Sequence, residues 1–61
     1  MPIVRVEMLK GRSKEQKARL AEAITKAMVD IAKAKPEATS IVFCDVERSD
    51  WAEAGKLMSE T

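Results

Sequence analysis

Val4, Val6 and Met8 alternate with Arg5 and Glu7 along Ile3–Met8, the period of a strand with one covered face. Gly11 ends this run. Ser13, with Gln16 three positions later, has the spacing of a capping box, in which each side chain serves the other's backbone N–H at a helix start. From Lys14 to about Ala34, Leu20, Ile24, Met28 and Ile31 recur at helical spacing, and Ala21, Ala27 and Ala32 widen the stripe. Glu15, Arg19, Glu22 and Lys26 fall largely elsewhere on the helix. Pro36 disfavours helical geometry at Lys35 and closes the element. Ser40–Val46 is a nearly continuous apolar run, which predicts a second strand covered on both faces. The tail from Glu47 onward fits either a short helical turn or a hairpin.

The predicted order is strand, helix, strand in a single domain, residues 1–61. A helix that returns along the sheet makes the strands parallel and the connection right-handed. The fold class is therefore α/β, a β-α-β subunit. Two strands under one helix make a poor sheet, and a domain of about 60 residues buries only roughly 60% of its unfolded surface. With Cys44 as the sole cysteine, no disulfide adds to that core. Self-association into a larger sheet is the expected remedy. No apolar run is long enough to span a membrane and no signal-peptide pattern is present, so a cytoplasmic protein with no membrane partner is expected.

Charge and composition narrow the chemistry. Eleven Lys and Arg against ten Asp and Glu leave a net charge of +1, without the clustered basic excess that nucleic acid binding requires, so no nucleic acid partner is expected. The chain has no histidine and no tyrosine, which excludes a Cys/His zinc site or a His-based triad within one chain. Neither metal nor cofactor is expected. An α-amino group (about pKa 8) and Cys44 are the groups nearest to a neutral-pH base, and Cys44, inside an apolar strand, reads as a core thiol. Pro2 then draws notice, because loss of Met1 would expose its secondary amine.

The segments PIVRVEMLKGRSKEQK, PEATSIVFCDV and DWAEAGKLMSE resemble the 4-oxalocrotonate tautomerase family without gaps over essentially the whole chain. The resemblance implies a β-α-β subunit assembled as a homohexamer, a trimer of dimers, with Pro2 as the N-terminal catalytic base once Met1 is removed. It places the motif arginine at Arg12 and the pocket aromatic at Trp51. It further implies keto–enol isomerisation of a 2-oxo acid, of the 2-hydroxydienoate or phenylpyruvate type, such as occurs in aromatic degradation. Two positions depart from the family pattern. Ser40 stands where well-known members have a second, substrate-polarising arginine, with Arg48 as the candidate replacement. Ala52 and Ala54 stand where many relatives have glycine in the tail.

The chemistry of these residues agrees with the resemblance. A secondary amine in an apolar pocket beside a cation loses its proton more readily, because both surroundings disfavour its charged form. Arg12 could hold a substrate carboxylate through a two-point fork. Pro2 and Arg12, however, are ten positions apart along an extended stretch that covers up to roughly 30 Å. If the first strand pairs antiparallel with its copy, the Arg12 of one chain approaches Pro2 of the other, and the active sites are shared. Alternatives are hydrolytic dehalogenation or decarboxylation by the same proline, and a catalytically silent oligomeric binding protein.

Overall fold

A computed structural model of the chain describes residues 1–60. Strand β1 (Ile3–Leu9) is followed by helix α1 (Lys14–Ala32), a 3-10 turn at Pro36–Ala38, strand β2 (Ser40–Val46), a second 3-10 turn at Arg48–Asp50, the short strands β3 (Ala52–Glu53) and β4 (Lys56–Leu57), and a last turn at Met58–Glu60. β1 and β2 pair in parallel, from Ile3 opposite Ser40 to Leu9 opposite Val46. The expected β-α-β order with parallel strands is present.

The helix begins where the capping signature places it. The Ser13 hydroxyl accepts from the Gln16 N–H at 3.1 Å, and the Gln16 side chain accepts from the Ser13 N–H at 2.8 Å. It ends at Ala32, two residues before the expected Ala34, because Lys33 turns into the left-handed region (φ 60°) and directs its N–H to the Met28 carbonyl. Lys35 is extended before Pro36, as the proline's steric demand requires.

The helix face that meets the sheet differs from the expected stripe. Lys17, Ala21, Ile24, Thr25, Met28 and Val29 are half-buried, whereas Leu20 is 38% and Ile31 81% exposed. A sheet of two strands is too narrow to cover both flanks of the helix, so the flank with Leu20 and Ile31 is left open. Lys17 reaches across to β2, its Nζ 2.5 Å from the Asp45 carboxylate. β2 is likewise not covered on both faces: Ile41, Phe43, Cys44 and Val46 are half-buried, and Val42 is 41% exposed. Cys44 is half-exposed, so the expected core thiol has no core around it in one protomer.

No described residue is fully buried. The protomer measures 42 × 23 × 15 Å with a radius of gyration of 14.5 Å, against about 10.5 Å for a compact chain of this length. Its accessible surface of 4825 Å² exceeds the roughly 4,000 Å² typical of a folded monomer of its mass. Elongated and without an interior, the protomer has the shape of a part of something larger. The tail resolves the earlier ambiguity by using both alternatives, a 3-10 turn followed by a hairpin with Ala52 opposite Leu57 and Glu53 opposite Lys56.

Candidate active site

The sequence-derived site residues fall into two groups at opposite ends of the sheet. Pro2 precedes β1, and its carbonyl accepts the Ser40 N–H at 3.0 Å. The proline is half-buried and the serine exposed, while Met1, 96% exposed, extends from the chain. With Met1 attached, the Pro2 nitrogen is an amide and has no lone pair to offer a proton. The neighbouring Thr39 hydroxyl donates to the Lys35 carbonyl at 2.8 Å and is thereby committed to the backbone.

Arg12, Arg48 and Trp51 follow the carboxyl ends of β1 and β2, a strand length away. Seven extended residues span on the order of 23 Å, so Pro2 and Arg12 do not meet within one protomer. Arg12 is exposed and donates through Nη1 to the Leu9 carbonyl at 3.2 Å, a contact that holds the side chain back over its own strand. Arg48 donates through Nη2 to the Met58 carbonyl at 2.9 Å. Trp51 is half-buried, and its carbonyl accepts from the Met58 N–H at 2.7 Å, which folds the hairpin back on the 3-10 turn. Arg48 and Trp51 thus belong to one small substructure built on the tail's own contacts.

The two strand ends are tied together by a pair that the sequence did not bring forward. Lys10 Nζ lies 2.8 Å from the Glu47 carboxylate, and the Lys10 N–H donates to the Val46 carbonyl at 2.9 Å. Glu47 raises the Lys10 pKa, first through the hydrogen bond and then through its charge. The available signal was positional: Lys10 directly follows one parallel strand and Glu47 the other, so the ladder sets them side by side. An open groove of about 450 Å³ lies elsewhere, against the helix and the Pro36 turn, among Ala21, Thr25, Val29 and Pro36. It contains none of the residues above. Among the described residues, no cluster of His, Cys, Asp or Glu is arranged to hold a metal, and no helix is long and apolar enough to cross a membrane.

A half-buried proline thus stands at one strand start, and a cationic, aromatic group at the far end. The chain matches the family described as tautomerase enzyme over residues 2–61. It is 40% identical over 60 residues to a probable tautomerase of Halalkalibacterium halodurans, covering 98% of each chain. It is 37% identical over 60 residues to the 2-hydroxymuconate tautomerase of Bacillus subtilis, covering 98% of this chain and 97% of the relative. A solved heterohexameric 4-oxalocrotonate tautomerase from Chloroflexus aurantiacus superposes with a TM-score of 0.91 at 33% identity, covering 98% of this chain and 97% of the other. The chain therefore belongs to the tautomerase family, with the β-α-β fold of the 4-oxalocrotonate tautomerases.

Proposed function

We propose that the protein is a tautomerase that moves a proton between oxygen and carbon of a 2-hydroxydienoate or phenylpyruvate-type acid, with Pro2 as the acid–base group. Once Met1 is removed, Pro2 carries a free secondary amine. Its neutral form takes the enol O–H proton, and the resulting ammonium returns that proton to carbon as the 2-oxo acid forms. Arg12 of a second protomer binds the substrate carboxylate and draws off charge as the enolate develops. Trp51 supplies an apolar wall, which with the nearby cation favours the neutral amine. Ser40 contributes one neutral hydrogen bond beside Pro2, and Arg48 is the candidate second cation.

The observation that carries this reading is the split of the site: proline and serine at one end of the sheet, arginines and tryptophan at the other. A split of this kind calls for shared sites, and a homohexamer built as a trimer of dimers would supply them and cover the protomer's open faces. The residues of this single domain, 1–61, would then all serve the assembly. Steady-state turnover of 2-hydroxymuconate and phenylenolpyruvate by Met1-free protein tests the reading directly. Enol-to-keto conversion above the solvent rate, lost in Pro2→Ala, supports it. Equal rates with and without Pro2 would reject it.

A further inference from the structure

Charges at the carboxyl ends of β1 and β2 are sorted by residue type. β2 carries Asp45 there and is followed at once by Glu47. Lys17 holds the first carboxylate and Lys10 the second, each through Nζ. Arg12 holds neither. Among the described residues its partner is the Leu9 carbonyl, 3.2 Å from Nη1.

Backbone phase puts these contacts on opposite sides of β1. The Pro2 carbonyl and the Lys10 N–H both bond to β2. Backbone groups alternate sides along a strand, so the Leu9 carbonyl turns to the outer edge. Arg12 therefore keeps its guanidinium on the edge away from β2, while the Lys10 ammonium meets Glu47 on the β2 side. The short stretch between them is anchored twice. Lys10 is tied to β2 through backbone and side chain, and Ser13 is locked by its reciprocal bonds with Gln16. Gly11, at φ 129°, makes the change of direction.

We infer that Lys10 is a positioning residue for Arg12: by holding Glu47 on the β2 side, it keeps that carboxylate off the arginine and leaves the guanidinium at the outer edge for a substrate carboxylate. The inference rests on the proposed role of Arg12 as the carboxylate binder. The chemistry of the two cations suits this division. An ammonium is a compact point charge that serves any carboxylate oxygen, whereas the planar guanidinium matches a carboxylate at two points. A carbonyl oxygen occupies the guanidinium at one point and without full charge. An arriving substrate anion therefore displaces Leu9 easily, and would displace an internal carboxylate only at a cost in affinity. Glu47 is that potential competitor. It follows Val46, which pairs with Leu9 across one strand spacing of about 4.8 Å. With its side chain 56% exposed, Glu47 has room to swing, and without Lys10 it would draw Arg12 over the strand end toward β2.

Carboxylate affinity tests this without turnover. Quenching of Trp51, the one tryptophan, reads the Kd of 3-phenylpropionate, an unreactive monocarboxylate, on Met1-free protein, with assembly followed by light scattering. Arg12→Ala should weaken binding about tenfold or more. Lys10→Gln should weaken it about two- to fivefold, and Lys10→Arg should bind as the parent does. Adding Glu47→Gln to Lys10→Gln should restore parental affinity, because the competing carboxylate is gone. A tie that only braces the strand ends gives the opposite result: the double exchange also lacks the pair and would bind as weakly as Lys10→Gln alone. That outcome, or parental affinity in Lys10→Gln, would overturn the inference while leaving the role of Arg12 standing. Parental affinity in Arg12→Ala, or a parent that does not bind the probe, would overturn both.

Discussion

The two ends of the β1–β2 sheet differ in how their side chains are tied. At the Pro2 end, the Ser40 N–H meets the Pro2 carbonyl and the Thr39 hydroxyl meets the Lys35 carbonyl, so the bonds are made to backbone. At the other end Lys10, Arg12, Glu47 and Arg48 cluster around the carboxyl ends of both strands. In the proposed reaction the proton acceptor sits at the first end and the anion-binding arginines at the second. A single protomer does not bring these together, so the proposed catalysis would be a property of an assembly. The contrast also bears on substrate charge, since Ser40, beside Pro2, offers a second carboxylate a neutral hydroxyl.

The largest expected effect comes from removing the proposed base. Pro2→Ala in Met1-free protein should lower kcat/KM by about 10²–10⁴, the usual contribution of a positioned acid–base group, with assembly unchanged by light scattering. Arg12→Ala should cost about 10²–10³, seen mainly as a raised KM for a monocarboxylate enol. Ser40→Arg should improve turnover of a dicarboxylate by placing a guanidinium beside Pro2. The two deficient chains together sharpen the comparison. If each site takes Pro2 from one copy and Arg12 from the other, refolding Pro2→Ala with Arg12→Ala in equal amounts should restore about a quarter of parental activity. Half the pairs are mixed, and each mixed pair regains one of its two sites. No recovery would mean that both groups come from one chain.

Smaller effects concern the tail and the strand ends. Ala54 (φ 52°) and Gly55 (φ 80°) form the two-residue hairpin turn, and both are left-handed. Glycine adopts this geometry without the Cβ clash that alanine meets. Nothing lies within 4 Å of a Cβ at Gly55, so backbone preference, not space, governs this turn. Ala54→Gly should raise stability by roughly 0.5–1 kcal/mol, read as a higher Tm at fixed protein concentration. The smallest effect belongs to Lys10 and Glu47. The Lys10 pKa is raised in the folded chain, so the pair's stabilisation is present below the ordinary lysine pKa and is lost as pH rises through the raised value. Lys10→Gln should therefore lower the Tm slightly at neutral pH, and the difference from the parent should vanish in strong alkali and in high salt.

Much of the fold was legible because local chemistry and tertiary structure agree. The Ser13–Gln16 capping box, the alternation along β1, and the stop before Pro36 each stand on their own neighbours. The helix face was misread where the sequence reports the assembly: Leu20 and Ile31 are apolar, yet one two-stranded sheet cannot reach them. The apolar character of β2 misled for the same reason, predicting cover on two faces where the protomer supplies one. For the site, residue types and family spacing pointed to Pro2, Arg12, Ser40, Arg48 and Trp51. Their division between two ends was legible from strand length alone. The Lys10–Glu47 pair was not, since it depends on the parallel register that aligns residues 37 positions apart.

A chain with no fully buried residue among those described has little core of its own to hold it folded. If protomers acquire a dry core only by meeting others, the folded fraction follows mass action. Dilution should then remove secondary structure and activity in one transition, at a midpoint that moves with total chain concentration. Exchange of chains between assemblies should be as slow as unfolding itself, since a departing protomer leaves its core behind. Once formed, an assembly would keep its original members for as long as it stays folded.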